Sequence, residues 1–159
     1  SLASCERDRP PATSTVGTDG DDVLVANDYS QNLDGLAGND RIYGRIGGNV
    51  LRGGPDDDYL VGGGGFDTYV VGEGTDTVCI DRGDSAQVTI RADVVNPTRT
   101  NVLQFGAGIL PADVSRSRDR LPLPGQFILL SADGSLFGVN TMLRFVRFRD
   151  GTVWDLFGN

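Results

Sequence analysis

Neither histidine nor lysine occurs in this 159-residue chain. Without histidine there is no Ser-His-Asp or Cys-His arrangement for nucleophilic catalysis. Without lysine there is no Schiff-base amine and no phosphate-gripping P-loop. All 14 basic residues are therefore Arg, set against 22 acids for a net charge of -8. A chain so acidic is a poor partner for nucleic acid. No apolar run approaches the roughly 20 residues that span a bilayer, no complete signal peptide is visible, and no segment carries a convincing helical pattern. Cysteine is limited to Cys5 and Cys79, which form a disulfide if the protein is exported and otherwise remain two free thiols. Asp56-Asp57-Asp58 could pose as a glycosidase pair, but neighbours along a turn point in different directions. The chain therefore reads as a non-enzyme.

What is abundant is glycine and aspartate, and both are concentrated. Residues 17–80 hold 15 of the 23 Gly, with twelve acids and three Arg. Residues 81–159 carry eight acids and nine Arg, and residues 1–16 are neutral. An acidic, Gly-rich segment buries little apolar surface and stays disordered unless something offsets its charge. From Gly17 the chain falls into nines: GTDGDDVLV, ANDYSQNLD, GLAGNDRIY, GRIGGNVLR, GGPDDDYLV, GGGGFDTYV and VGEGTDTVC. The eighth place is apolar every time: Leu24, Leu33, Ile42, Leu51, Leu60, Tyr69 and Val78. Such a fixed period marks a repeat architecture.

Glycines at places one, two and four allow turn conformations with positive φ. An Asp at place six adds an ionised oxygen to the carbonyls of that turn. Places seven to nine make a short strand whose eighth side chain points inward and whose neighbours point outward. Two repeats then form an 18-residue coil, and stacked coils form an all-β, right-handed parallel β-roll with turns along both edges. Facing turns on one edge leave a gap lined with hard oxygen ligands, which suit Ca²⁺ better than Mg²⁺ or a transition metal.

The pattern Gly-Gly-x-Gly-x-Asp-x-apolar-x resembles the RTX, or haemolysin-type calcium-binding, nonapeptide of bacterial secreted toxins, proteases and lipases. The resemblance covers about 64 residues and supplies a ligand pattern. One turn gives the carbonyls of places two and four plus its Asp; the next turn on that edge gives the carbonyls of places one and three plus its Asp. Carried onto the odd-numbered repeats, this implies three Ca²⁺ sites. The first uses Thr18, Gly20, Asp22, Gly35, Ala37 and Asp40. The second uses Leu36, Gly38, Asp40, Gly53, Pro55 and Asp58. The third uses Gly54, Asp56, Asp58, Val71, Glu73 and Asp76. Place six on the even edge reads Gln31, Asn49 and Asp67, so its first gap is expected to be empty. A fourth ion between Arg45, Gly47, Asn49, Gly62, Gly64 and Asp67 would have one carboxylate; alternatively Asp67 pairs with the turn around Asp81 and Asp84. Asp56 stands where Gly is usual, and its carbonyl serves only if the turn tolerates a side chain. The competing reading of the Asp file is a solvated acidic edge or a set of Asx-turns.

After Cys79 the beat stops. "LQFGAGILPADVSRSRD" and "VRFRDGTVWDL" are similar to the segment that follows RTX repeats, which implies a C-terminal β cap over residues 81–159, with residues 1–16 as a separate N-terminal segment. Phe105, Phe127, Leu129, Phe148 and Trp154 are its core candidates, and Asp150-Gly151 reads as a hairpin turn. Arg116, Arg118 and Arg120 alternate, as do Arg147 and Arg149; they form either a solvated face or a basic surface for an acidic glycan. "LASC", residues 2–5, resembles the lipid-attachment box of bacterial lipoproteins with Cys5 as acceptor, without the charged and apolar regions that precede such a box. The resemblance implies a monomeric, secreted calcium-binding module, a fragment or accessory part of a larger protein, exported by a type I secretion system and folding on Ca²⁺ outside the cell. The alternative is a Ca²⁺-dependent carbohydrate or cell-surface binding module.

Overall fold

Three residues at places seven to nine are enough for a strand when the partner lies one coil away. In the computed structural model the odd repeats give β1 (Val23–Val25), β3 (Arg41–Tyr43), β5 (Tyr59–Val61) and β7 (Thr77–Ile80). The even repeats give β2 (Asn32–Asp34), β4 (Val50–Arg52) and β6 (Asp67–Val71). Odd strands pair with odd strands in parallel, Leu24 to Ile42, Ile42 to Leu60 and Leu60 to Val78. Even strands do the same, Leu33 to Leu51 and Leu51 to Tyr69. The eighth places meet between the two sheets as one core, none of them more than 3% exposed. The fold is the expected parallel roll. The structure describes residues 5–27, 29, 31–81, 87–92, 101–106, 109–117, 127–131, 136–139 and 143–155.

The parallel ladder does not end with the nine-residue beat. β8 (Gln87–Ala92) continues the even sheet beside β6, and β9 (Asn101–Phe105) continues the odd sheet beside β7. β12 (Leu136–Val139) and β13 (Leu143–Arg147) add one more parallel strand to each. Residue 80 therefore closes the regular repeat while the roll itself runs on. The partner offset grows from 18 residues to 25 at Asp76–Asn101, which hides the continuation from a search for nines. Antiparallel strands finish both sheets: β10 (Val114–Ser117) and β11 (Phe127–Ser131) beyond β12, and β14 (Val153–Asp155) beyond β13. Reversing direction ends the stack of coils. The β13–β14 hairpin turns at Asp150-Gly151, where Gly151 has φ 94°. Phe105 and Phe148 are buried with ring centroids 5.3 Å apart, and Trp154 packs edge-on against Phe148 at 4.7 Å. Phe127 and Leu129 fall in β11, whose side chains lie outside the described residues, as do Arg118, Arg120 and the side chain of Arg116.

The N-terminal segment caps the opposite end. Thr13 exchanges hydrogen bonds with Val23 and Val25 of β1, and residues 15–17 pair with Asp34 of β2. Its first part covers the outer face of the odd sheet. Place nine was expected to face solvent, yet Val25, Tyr43, Val61 and Cys79 are each 0% exposed. They form a second apolar cluster with Cys5, flanked by Tyr59. Cys5 and Cys79 are joined as a disulfide with Cα atoms 5.7 Å apart. That settles the two-thiol alternative, and it occupies the sulfur that the lipid-attachment reading required.

Candidate metal centre

The turns of the odd edge run over residues 17–22, 35–40, 53–58 and 71–76. In the two middle turns places two and four take left-handed backbone conformations, and not only at glycine: Leu36 has φ 75° and Asp56 φ 80°, beside Gly38 and Gly54; in the last turn Gly74 does the same. The turn thus tolerates Asp56, whose Oδ2 also accepts the Gly38 N–H at 3.3 Å. Each turn leans on the next. The carbonyl oxygens of Leu36 and Gly54 lie against Gly54 and Gly72, so those of place two point toward the following turn. The Gly20 and Asp56 carbonyls lie against Gly38 and Gly74, so those of place four point the same way. The carbonyls of Gly35 and Gly53 lie against Gly17 and Gly35, pointing back. Carbonyl oxygens from two successive turns therefore face into the first and second gaps, and those of Gly54 and Asp56 face into the third.

The place-six carboxylates complete this lining. Oδ1 of Asp40, Asp58 and Asp76 accepts the N–H of Asp22, Asp40 and Asp58, at 2.8, 2.9 and 3.0 Å. Asn101 ends the file by accepting the Asp76 N–H at 2.8 Å. One oxygen of each carboxylate is thus committed to holding the coils in register. The other is not: Oδ2 of Asp40 and of Asp58 is buried with no hydrogen-bond partner among the described residues. An unpartnered buried oxygen is expensive unless a cation or a proton meets it. A Cβ placed on Gly35 would overlap Asp40 Oδ2 and come within 2.6 Å of the Gly53 carbonyl oxygen. A Cβ on Gly53 would overlap Asp58 Oδ2. Glycine at place one keeps that oxygen-lined space open.

Burial makes these carboxylates hard to ionise. Desolvation, reinforced by the charges of Asp76 and Asp40, pushes Asp58 up to about 8, although the Asp40 N–H pulls the other way. Asp40 is also raised, chiefly by desolvation. Among the described residues no three Asp, Glu or Cys side chains converge on one point. A cation here must therefore draw much of its coordination from main-chain carbonyls.

The other predicted positions separate into three groups. In the first gap, Thr18 donates to Asp22 Oδ2 from its N–H at 2.6 Å and its hydroxyl at 2.8 Å. The Thr18 carbonyl accepts the Ala37 N–H at 3.4 Å. These oxygens are already engaged. In the third gap, Val71 stands where the other odd turns have Gly, and Glu73 is exposed; Pro55, in the second, is exposed as well. On the even edge, Asn49 repeats the ladder, accepting the Gln31 N–H at 2.9 Å while its own N–H goes to Asp67 Oδ1 at 2.9 Å. Its amide nitrogen then donates to the Gly47 carbonyl at 3.3 Å and to Asp67 Oδ1 at 3.2 Å. A hydrogen-bond donor occupies the position that a carboxylate oxygen holds on the odd edge. Asp67 Oδ2 is buried, and desolvation raises Asp67 to about 6. Asp81 takes the Cys5 N–H, and Asp84 lies outside the described residues.

A second ladder went unread in the sequence. At place five, Asn39 N–H donates to Asp21, Asp57 N–H to Asn39, and Thr75 N–H to Asp57, at 2.7–3.0 Å. The signal was an acceptor side chain at Asp21, Asn39 and Asp57, again 18 apart. The triplet Asp56, Asp57 and Asp58 is thereby divided among separate tasks, accepting the N–H groups of Gly38, Thr75 and Asp40.

The family model for the RTX calcium-binding nonapeptide repeat (4 copies) matches residues 16–51 and 43–78. No curated protein is significantly similar to the chain. Among solved structures, one similar chain is the AlgE6R3 subunit of the Azotobacter vinelandii mannuronan C5-epimerase, determined in solution. It is 24% identical, with 81% of this chain and 75% of that chain covered, at a TM-score of 0.34. At that score the likeness adds nothing to the fold, which the strand register carries. The matched repeats, the 18-residue parallel register and the oxygen-lined turns agree over residues 16–78, so this segment carries RTX calcium-binding nonapeptide repeats.

Proposed function

We propose that the odd edge holds a file of Ca²⁺ ions, and that binding them drives the folding of a secreted module. The observation that carries this reading is the pair of buried Oδ2 atoms of Asp40 and Asp58, without a partner among the described residues, beside carbonyls that face into the gaps between turns. The second gap is the best supplied, with Leu36, Gly38, Asp40, Gly53, Pro55 and Asp58. The third follows with Gly54, Asp56, Asp58, Val71, Glu73 and Asp76. The first needs Thr18 to release Asp22 before an ion enters. The even edge is left to hydrogen bonding, because the Asn49 amide supplies a donor there. When bound, Ca²⁺ supplies positive charge and six to eight coordination positions for hard oxygens.

In cytosol, at low Ca²⁺, desolvation and repulsion along the Asp file oppose stacking. Outside, at roughly millimolar Ca²⁺, the free energy of binding becomes folding free energy. The disulfide supports an oxidising destination, and export by a type I system fits folding deferred until exit. The role is binding and folding, with no catalytic step assigned. Circular dichroism of the reduced protein tests it. A β signal should appear with Ca²⁺ at about millimolar concentration and not with equal Mg²⁺. A complete β spectrum in chelator would overturn the proposal.

A further inference from the structure

The N-terminal segment crosses the odd sheet against the direction of stacking. Thr13 bonds to Val25 in β1, whereas Cys5 is joined to Cys79 in β7. β1 and β7 are three strand spacings apart, about 14 Å. The segment fits that span only when four odd strands are stacked in register. Its Cys5 end is seated by groups from two of them. The Cys5 N–H donates to the Asp81 carboxylate at 2.8 and 3.0 Å, just beyond β7, and the Tyr59 hydroxyl of β5 donates to the Cys5 carbonyl at 3.3 Å. In the unstacked chain the two thiols are separated by 74 residues with nothing to align them.

We propose that Cys5–Cys79 is a calcium-gated latch: the bond closes on the stacked roll and then holds the roll together when Ca²⁺ falls. This rests on the calcium-driven folding argued above. The oxidant is a small-molecule disulfide such as oxidised glutathione. One cysteine thiolate attacks it, forming a mixed disulfide and releasing one glutathione thiolate. The second cysteine thiolate then attacks the protein sulfur of that mixed disulfide, closing Cys5–Cys79 and releasing the other. The protein loses two electrons and two protons, and the oxidant becomes two thiols. Once closed, the bond restricts the unfolded chain and not the folded one. The same ion concentration therefore maintains a larger folded fraction.

The test follows thiols and fold together. Protein reduced in denaturant and chelator is transferred to a glutathione redox buffer with Ca²⁺, Mg²⁺ or chelator. Aliquots are alkylated and weighed for free thiols while circular dichroism is read in parallel. Pairing should be about tenfold faster in Ca²⁺ than in Mg²⁺ or chelator, because stacking raises the effective concentration of one thiol at the other. Asp40→Ala should slow pairing at the same Ca²⁺. The Ca²⁺ midpoint of the oxidised protein should lie about three- to tenfold below that of Cys5→Ala, with reduced wild-type protein as the second comparison if Cys5→Ala does not fold. A Ca²⁺-induced β signal with equally fast pairing in chelator overturns the latch and leaves the calcium reading standing. Equal midpoints in the oxidised protein and in the comparison protein that lacks the bond overturn it as well. No β signal with Ca²⁺ in reduced protein overturns both.

Discussion

Asp58 and Asn49 show how one atom decides the character of an edge. Both accept a backbone N–H from the residue 18 positions earlier or lend theirs onward in the same ladder. They differ in the second side-chain atom, an unpartnered oxygen in Asp58 and a satisfied amide nitrogen in Asn49. Asp58→Asn should therefore raise the β signal in chelator, by removing an unmet buried oxygen worth about 1–3 kcal/mol, and should weaken Ca²⁺ binding measured by calorimetry. Gly35→Ala should reduce Ca²⁺ affinity by about tenfold or more, since its Cβ would overlap Asp40 Oδ2. Acidity offers a third test. The Asp58 pKa is raised from 3.8 to about 8 on folding, so the folded state binds the extra proton. Its contribution to stability is complete below about pH 4 and is lost as pH rises through about 8. In chelator, thermal unfolding of the oxidised protein should thus move to higher temperature on acidification from pH 8 toward pH 5. In Ca²⁺ the trend should reverse, because proton and ion compete for one oxygen.

Strands of three residues do not stand alone, and their stability comes from neighbours on both sides. Each repeat strand buries its eighth side chain between the sheets, and the odd strands also bury their ninth beneath the N-terminal segment. The elements at the two ends therefore do different work. Thr13–Gly17 closes the first coil by hydrogen bonding, and the β13–β14 hairpin closes the last by packing Phe148 between Phe105 and Trp154. Phe148 is 1% exposed, so Phe148→Ala should cost about 3–4 kcal/mol in urea denaturation in the presence of Ca²⁺. A loss under 1 kcal/mol would mean that the hairpin does not secure the roll.

For the molecule as a whole, the proposed function makes charge the quantity that decides when the roll forms. Residues 17–80 combine twelve acids with three Arg, and the buried members of that set lie along the stacked turns. Repulsion and desolvation oppose the core contributed by one apolar side chain per nine residues, and on the proposed function Ca²⁺ is what tips the balance. Small-angle scattering of reduced protein should show a radius of gyration near 42 Å in chelator, contracting toward about 15–18 Å with Ca²⁺. Equal compactness in both conditions would count against ion-driven folding.

The sequence by itself determined what repeats: the 18-residue register, the core file from Leu24 to Val78, the two edges and the acidic character of one of them. A period is local, and each unit restates the same instruction to its neighbours. Even the tolerance of Asp56 turned on the backbone of its own turn. Only the tertiary structure decided what joins distant segments. The continuation through β8, β9, β12 and β13 depends on a coil widened from 18 to 25 residues, for which no beat survives. The burial of Tyr43 and Val61 depends on a segment 38 or more residues away reaching back across the sheet. The pairing of Cys5 with Cys79 follows from that reach. Contacts of this kind arise from where the stacked coils place the chain in space, and residue identity along the chain does not record them.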